Sequence, residues 1–304
     1  MGKTVAETIK EISYNHTNKN NGVIMGQCLS AVGWVQNTVP AQKKGIIEFP
    51  MTDVAGAGFA VGAAIAGARP IFILRFQSFL WLNASPLINH AAKAKEIFGY
   101  AAPVFIRAIA SEGISSGPLH TNCYHSPFAH MPGLPICAPM TPKEYFLIWN
   151  KFKKNTDPLL VSEHRRSYKE KKEFKNFVSI KSKITIFVIS AARFEIDKVK
   201  KILNEKNIEI DIFHILWLKP FKINKEYLNS LKKTKKGLVI DSTYEICSLS
   251  EHIAYTLMKK VKSSKVINFG MKDQSPGCSA KSLNGTPNAK QIVEKIIKII
   301  KDKT

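Results

Sequence analysis

Residues 48–70, EFPMTDVAGAGFAVGAAIAGARP, are the stretch around which the rest of the chain is interpreted. One carboxylate, Asp53, stands directly before a run made almost wholly of glycine, alanine and small apolar residues. The alanines favour a helix, which the glycines alone would oppose. Arg69-Pro70 ends that helix, because the residue before a proline avoids helical backbone angles. The apolar run Ile71–Leu74 that follows is typical of a buried strand.

Small residues recur one helical turn apart in this run, at Gly58, Gly62 and Ala66. A face of this kind lets another backbone approach closely, so we predict a buried helix packed tightly on a second helix. Asp53 then lies at the N-terminal end of that helix. Two interpretations of its carboxylate are open: an ordinary helix cap, a position that Asp favours, or an acid held in place for chemistry.

The composition describes a globular protein of two domains, with 304 residues, 45% hydrophobic and 10% aromatic. A net charge of +22 admits nucleic-acid binding as a hypothesis. Most of the excess charge lies after Lys151, in lysine runs interspersed with Glu, Asn and Ile that suit solvated surfaces. Zinc-finger spacings and aromatic-basic RNA motifs are absent from the sequence, so we expect no specific nucleic-acid partner.

The five cysteines are odd in number and irregular in spacing, which argues against a disulfide framework. The opening MGKTVAETIKEI is charged and amphipathic and lacks an apolar signal core. The sequence has no run of eighteen apolar residues, so we expect no membrane span and a cytoplasmic location.

Helical and extended patterns alternate along the chain, which predicts an α/β fold with parallel sheets covered by helices on both faces. A charged, weakly periodic segment at residues 168–183 is the predicted linker. It separates a domain of residues 1–178 from a second α/β domain of residues 184–304. The predicted helices are residues 4–14, the helix that follows Asp53 and ends at Arg69-Pro70, and residues 87–98, 142–153, 195–204, 249–260 and 288–300. The predicted strands are residues 22–26, 71–74, 103–108, 134–139, 159–162, 184–189, 210–214 and 237–241.

A serine- and glycine-rich loop at residues 111–117 precedes His120, Cys123, His125 and His130. Three His and one Cys within eleven residues raise the hypothesis of a metal site. A second cluster at the spacing of structural zinc sites is missing, so we expect no metal ligands in this chain.

In this order, the motifs resemble the β subunit of two-subunit, thiamine-diphosphate-dependent 2-oxo acid dehydrogenases of the pyruvate and branched-chain type, and more broadly the pyrimidine-binding half of transketolase. The resemblance covers nearly the whole chain. Each motif is weak alone, but seven in the right order are specific. They are PMTDVAGAGFAVGAAIAGARP, NHAAKAKE, the His120 loop with FAHMPGL, NTDPLLVSEH, LKPF, LVIDSTYE and FGMKDQSP.

The resemblance implies roles for several residues. Asp53, after Met51 and Thr52, falls where the family has the catalytic Glu that hydrogen-bonds the cofactor's aminopyrimidine and starts acid–base chemistry relayed through the cofactor. Met51 lies beside the same ring. Phe79 falls at the aromatic that stacks on the pyrimidine. His120 falls at the family's active-site loop His, which binds substrate or transfers protons.

Three positions depart from the family pattern. Asp53 is one methylene shorter than the usual Glu. Gln27, predicted beside the cofactor, stands where the family often has an acid after its first strand. Arg75 replaces a Gln or Met, and its guanidinium either pairs with a phosphate or second carboxylate of an unusual substrate or satisfies a neighbouring acid.

The family holds the cofactor's diphosphate and its Mg²⁺ with a Gly-Asp-Gly motif, which this sequence lacks. The resemblance therefore implies an α-type subunit that carries this motif, a second copy of this chain, and an α2β2 heterotetramer. We expect a β-type subunit of a thiamine-diphosphate enzyme acting on a non-standard 2-oxo acid or ketose substrate, by decarboxylation or by acyl or two-carbon transfer through a C2 carbanion. The alternative is a non-catalytic subunit that kept the fold.

Overall fold

The computed structural model describes residues 2–112, 117–277 and 284–302. These divide into an N-terminal unit, residues 1–173, and a C-terminal unit, residues 174–304. Each unit has its own parallel sheet, with helices between successive strands. The predicted α/β class with two domains is confirmed.

Strands in the N-terminal unit follow the order β2-β1-β3-β4-β6-β5, and the neighbouring pairs are parallel. Strands β3, β4 and β6 are buried along their whole length, because helices cover both faces of a parallel sheet. The strands are β1 (Ile24–Gln27), β2 (Ile46–Phe49), β3 (Ile71–Leu74), β4 (Phe105–Ala110), β5 (Ile136–Cys137) and β6 (Leu159–His164).

The helices of this unit begin with local signals that the sequence carries. Thr4 caps the first helix in a reciprocal capping box with Glu7, and Thr141 caps the helix that Pro142 opens. The helices are α1 (Val5–Lys19), α2 (Ala31–Asn37), α3 (Asp53–Ile65), α4 (Ala94–Phe98), α5 (Gly117–His120), α6 (His125–Ala129) and α7 (Pro142–Lys153), with 3₁₀ turns at Gln77–Leu80 and Arg165–Lys169 and a π-helical turn at Pro86–Ala91.

Helix α2 has a left-handed backbone, with φ between 50° and 61° from Val32 to Gln36. Such a conformation costs about 1–2 kcal/mol for each residue that is not glycine. Neighbouring contacts hold the segment: Lys10 Nζ donates to Asn37 Oδ1 at 2.7 Å, and Ser13 Oγ donates to the Thr38 carbonyl at 3.4 Å.

The C-terminal unit has a four-stranded parallel sheet in the order β11-β10-β7-β8. Its core is aliphatic and lies between the sheet and two strongly amphipathic helices, α8 and α11. The elements are β7 (Thr185–Ile189), α8 (Ile196–Asn204), β8 (Asp211–Ile215), β9 (Trp217–Lys219), α9 (Lys225–Thr234), β10 (Lys236–Tyr244), α10 (Leu249–Lys260), β11 (Lys265–Met271) and α11 (Ala289–Lys301), with a 3₁₀ turn at Ser190–Glu195.

The structure corrects two of the predictions about helices. The single helix predicted over residues 87–98 is a π-helical turn followed by the short helix α4. Helix α3 packs on β1, β3 and that π-helical turn through its buried residues. Gly58 and Gly62, predicted to be buried against a second helix, are exposed, and a Cβ added to either would meet no atom within 4 Å.

The exposed face of α3 also carries large apolar side chains. Val54 is 56% exposed and Phe59 is 66% exposed. This helix is therefore half covered within the chain itself. Among the described helices, none is both long enough and apolar enough to cross a bilayer.

A buried ion pair joins the central strands β4 and β6. Arg107 Nε lies 2.6 Å from Glu163 Oε1, and Arg107 Nη2 lies 3.0 Å from Glu163 Oε2. The Tyr168 hydroxyl donates to Glu163 Oε2 at 2.9 Å, and Arg107 Nη2 donates to Thr38 Oγ1 at 2.9 Å. Burial alone would lower the pKa of Arg107, but the Glu163 carboxylate raises it well above the ordinary value, so the pair stays charged.

Candidate functional site

The site lies where neighbouring parallel strands end. Gly26 of β1 is paired with Ile73 of β3, and Leu74 of β3 with Ala108 of β4. Because parallel strands finish at the same edge of a sheet, the residues that follow them come together there, the usual ligand position in an open α/β sheet.

The end of β1 requires a glycine and brings Gln27 to the start of α3. A Cβ on Gly26 would lie 2.7 Å from the Ile73 carbonyl oxygen, so only glycine allows this approach of the two strands. With its amide oxygen turned toward α3, Gln27 Oε1 accepts from Asp53 N at 2.8 Å and from Thr52 N at 3.0 Å. Gln27 thus satisfies two donors at the start of a helix, where such groups lack partners inside the helix.

Asp53 is the first residue of α3 and is half-buried. Thr52 occupies the cap position without a side-chain capping bond, and Gln27 meets the backbone donors instead. The Asp53 carboxylate accepts no hydrogen bond from the part of the chain that the structure describes. The interpretation of Asp53 as the cap of α3 is therefore wrong, because Thr52 occupies that position.

Aromatic rings form one wall of the site. The rings of Phe76 and Phe79 meet edge to face with centroids 5.8 Å apart. The His120 imidazole stacks on Phe76 at 4.1 Å and meets Phe79 edge to face at 5.4 Å. His120 Nδ1 also lies 3.5 Å from Ser78 Oγ.

Two arginines follow the strand ends. Arg75, directly after β3, donates from Nη1 to the Cys28 carbonyl at 3.3 Å. Arg165, directly after β6, donates from Nη2 to the Arg75 carbonyl at 3.0 Å, and its Cζ lies 4.4 Å from the centroid of the Phe76 ring. Within the described ranges, neither arginine pairs with a carboxylate, so Arg75 does not serve to neutralise a neighbouring acid.

Most of these residues line one cleft, whose cavity volume is about 180 Å³. The cleft is lined by five of the predicted site residues, Gln27, Met51, Asp53, Arg75 and Phe79. The sixth, His120, stacks on a lining residue, Phe76. An acid without a hydrogen-bond partner beside aromatic and apolar walls suits a flat heteroaromatic ring with hydrogen-bonding edges, such as a pyrimidine.

A buried glutamine supports the aromatic wall from behind. Gln77 is 1% exposed, and its Nε2 donates to Ser162 Oγ at 2.8 Å and to the Ala108 carbonyl at 3.1 Å. Its Oε1 accepts from Tyr124 N at 2.6 Å. One side chain therefore ties the 3₁₀ turn carrying Phe79 to the ends of two strands and to the segment just after His120.

The cluster that raised the hypothesis of a metal lies in this same buried region. Cys123 Sγ lies 3.1 Å from His125 Nδ1, which lies 3.0 Å from Ser162 Oγ. His120, whose ring stacks on Phe76, is not part of that group. In residues 2–112, 117–277 and 284–302, His, Cys, Asp and Glu side chains form no group of three that could hold a metal ion. Part of the loop predicted at residues 111–117 lies outside the described residues.

Phe76, Gln77 and Arg165 were missed as site residues by the sequence analysis. Phe76 and Gln77 could have been predicted from the sequence, because they follow β3 closely and ligands bind at the ends of strands. Arg165 follows β6 in the same way, but its position beside Arg166 in a basic segment made it resemble a surface residue.

Comparisons with known proteins match both units of the chain. Residues 15–171 match the family model of the transketolase pyrimidine-binding domain, and residues 176–285 match that of the transketolase C-terminal domain. The solved structure titled "Split gene transketolase, inactive beta4 tetramer" superposes with a TM-score of 0.75 at 16% identity, covering 100% of both chains. Transketolase from Campylobacter jejuni superposes with a TM-score of 0.71 at 15% identity, covering 98% of this chain and 47% of that one.

Curated relatives are named as β subunits. The acetoin:2,6-dichlorophenolindophenol oxidoreductase subunit beta of Cupriavidus necator is 26% identical, with 69% of this chain and 65% of that protein aligned. The pyruvate dehydrogenase E1 component subunit beta of Acholeplasma laidlawii is 25% identical over 64% of each chain. The matched region thus spans just under two thirds of these relatives.

A pyrimidine-binding domain followed by a transketolase C-terminal domain defines the class. The chain belongs to the transketolase family, among relatives named as β subunits of pyruvate, acetoin and branched-chain 2-oxo acid dehydrogenases.

Proposed function

We propose that this chain is the β-type subunit of a two-subunit, thiamine-diphosphate-dependent enzyme that acts on a 2-oxo acid or ketose. The observation that carries the proposal is the Asp53 carboxylate, which lacks a partner among the described residues and lines the same cleft as Phe79. When bound, thiamine diphosphate supplies the carbon nucleophile and the electron sink for decarboxylation or for acyl or two-carbon transfer.

The side chains of this chain have separate parts in the proposal. Asp53 holds a proton or hydrogen bond at its carboxylate toward the pyrimidine edge, and Gln27 fixes the backbone on which Asp53 stands. Phe79 and Met51 provide apolar surface against the ring. His120, steadied by the Phe76 ring, is placed to bind substrate or pass a proton to it.

A second chain completes the proposed site. The sequence has no Gly-Asp-Gly motif, so an α-type subunit is proposed to hold the diphosphate and Mg²⁺. The exposed face of α3, with Gly58 and Gly62 flanked by Val54 and Phe59, supports a partner that packs closely on this helix. We propose an α2β2 assembly.

The cytoplasm remains the proposed compartment, in keeping with the four described cysteines, all of which are free.

The experiment is co-expression with an α-type chain from the same genome, followed by thiamine diphosphate, Mg²⁺ and a panel of 2-oxo acids and ketose phosphates. Asp53→Asn should lower turnover by about 10²–10⁴-fold, the usual contribution of a positioned acid–base group. The purified complex should keep its subunit composition. Absence of any decarboxylation or new carbonyl product from every donor would contradict the proposal.

The alternative is a non-catalytic subunit that retains the fold. The shortened acid at Asp53 and the amide at Gln27 motivate it. An assembled, active complex whose rate is unchanged by Asp53→Asn would favour this alternative over the catalytic role.

A further inference from the structure

A closed ring of buried polar groups lies behind the aromatic wall of the cleft. Gln77 Nε2 donates to Ser162 Oγ at 2.8 Å, and Ser162 Oγ lies 3.0 Å from His125 Nδ1. Tyr124, which directly precedes His125 in the chain, donates its backbone N–H to Gln77 Oε1 at 2.6 Å. The contacts therefore return to the residue from which they started. Gln77, Ser162 and His125 are each no more than 1% exposed.

The amide of Gln77 has a single possible orientation in this ring. A backbone N–H only donates and a carbonyl only accepts, so Oε1 faces Tyr124 and Nε2 faces the Ala108 carbonyl, at 3.1 Å. Ala108 and Ser162 are paired in the register of β4 and β6. The amide nitrogen is thus bound to two strands, and the amide oxygen to the segment that follows His120. Because a buried polar group without a partner is costly, each bond resists movement of the groups that it joins.

The segment that begins at His120 is held at two points. Ser111, directly after β4, donates from Oγ to the His120 carbonyl at 2.9 Å. Four residues further along the chain, Tyr124 is held by Gln77. Between these constraints the His120 imidazole stacks on Phe76 at 4.1 Å. The place of the imidazole in the cleft therefore depends on the distance between this segment and the 3₁₀ turn that Gln77 opens.

We propose that Gln77 is a positioning residue, which sets the place of the His120 imidazole relative to Phe79. Phe79 belongs to the same 3₁₀ turn as Gln77, whereas His120 precedes the backbone group that Gln77 bonds. The two rings meet edge to face at 5.4 Å. Gln77 itself is 1% exposed and lies behind the residues that line the cleft, so it acts through these two side chains.

The inference rests on the proposed function for the reaction that His120 would serve. The placement of His120 is a property of this chain alone, and it is measured first. Diethyl pyrocarbonate acylates accessible imidazole nitrogens, and mass spectrometry gives the extent of reaction at each histidine. In the full chain at low concentration, half-buried His120 is compared with exposed His90 in the same sample.

The variant is Gln77→Met, which keeps the length of the side chain and removes its hydrogen bonds. Gln42→Met is the matched control. Gln42 Nε2 also donates to a carbonyl, that of Lys44 at 2.6 Å, and to a hydroxyl, that of Thr17 at 3.0 Å, and its Oε1 accepts from Asn18 Nδ2 at 2.9 Å. Gln42 lies before the start of β2, away from the strand ends that form the cleft.

The reaction at His120 relative to His90 should rise threefold or more in Gln77→Met and change less than twofold in Gln42→Met. In the enzyme assembled with an α-type chain, Gln77→Met should lower kcat about 10–100-fold, because a misplacement of about 1 Å can slow a reaction about 100-fold. Gln42→Met should lower kcat less than twofold. If Gln77→Met does not fold, Gln77→Asn takes its place, since it keeps the amide but is one methylene too short to bond both sides.

An unchanged reaction at His120 in the folded Gln77 variant, or an equal rise in Gln42→Met, would overturn the positioning role. The modification experiment needs neither cofactor nor α-type chain. A rise at His120 together with an inactive wild-type complex would contradict the proposed function and leave the positioning of His120 supported, so the two failures are separate results.

Discussion

The buried pair Arg107–Glu163 allows a quantitative test of what holds the N-terminal sheet together. Arg107 is 1% exposed and Glu163 is fully buried. Glu163→Gln keeps the shape of the side chain but leaves the Arg107 charge uncompensated. Breaking such a pair from one side costs about 3–5 kcal/mol, a large part of the 5–15 kcal/mol that stabilises a typical domain.

Replacing both partners should cost less than replacing one. Arg107→Met combined with Glu163→Leu removes both charges and two further hydrogen bonds. The Tyr168 hydroxyl loses its acceptor, and the Thr38 hydroxyl loses one donor but still donates to the Val35 carbonyl. At about 1 kcal/mol for each lost hydrogen bond, the double variant should lose about 2 kcal/mol. The single substitution should therefore be the more damaging of the two.

The assay is urea unfolding at pH 7, followed by circular dichroism and by tryptophan fluorescence, to which Trp149 in the core beside Phe105 contributes with the three other tryptophans. Separate transitions for the two units would be fitted separately. Glu112→Gln is the matched control. Its carboxylate is 27% exposed and lies 3.7 Å from Arg166 Nη1, so its loss should cost under about 1 kcal/mol. A loss below 1 kcal/mol for Glu163→Gln, or a double variant no more stable than that single one, would refute the reasoning.

Three further predictions concern individual side chains. Gln27→Leu leaves the two backbone donors at the start of α3 without their acceptor, and it should lower the free energy of unfolding in urea by about 1–2 kcal/mol. Gln27→Glu keeps the acceptor and should lose less. Equal losses in the two variants would argue against the capping role of Gln27. Gly133→Ala puts a Cβ 1.9 Å from the Ala92 carbonyl oxygen at φ +74° and should lower the free energy of unfolding by about 2–4 kcal/mol. Gly99→Ala is the control, since Gly99 has φ +75° with open space around it, and it should cost about 1 kcal/mol. Similar losses in the two variants would contradict a steric clash at Gly133. Burial lowers the pKa of His164 from 6.5 to about 4, so the folded state disfavours its charged form: stability is full above pH 6.5 and falls as the pH drops toward 4, by about 2 kcal/mol at pH 5. His164→Gln should remove that part of the pH dependence, and an unchanged slope would show that other groups cause it.

The elements with strong local signals were predicted with their observed bounds. Ile71–Leu74 is an apolar run after a proline, and Pro142–Lys153 opens with a proline at its first position; both matched the structure. Leu249–Lys260 matched as well. In each case the deciding interactions lie within a few residues along the chain.

The remainder depended on contacts between distant residues. The π-helical turn at Pro86–Ala91 breaks a helix whose apolar pattern looked continuous. β2 and β11 were missed, because their strands are only partly buried and carry charged or amide side chains. At such places, packing between residues distant in sequence outweighs the local sequence pattern.

The candidate site was predictable to the extent that it follows strand ends and the family motifs. Five of the six predicted residues line one cleft, and the sixth stacks on its wall. Arg165 could not be found by the same route, since its role comes from a carbonyl ninety residues earlier in the chain, that of Arg75. The small-residue face of α3 shows the same limit, because the spacing predicted close packing but Gly58 and Gly62 are exposed.

That half-covered helix has a consequence for how the protein can be made. Phe59 and Val54 expose more than half of their side chains beside bare glycine backbone. Exposed apolar surface of this kind promotes aggregation. If the proposed two-chain assembly covers this face, a cell that makes this chain before its partner should accumulate aggregated protein, so balanced synthesis of the two chains would be needed to keep this one in solution.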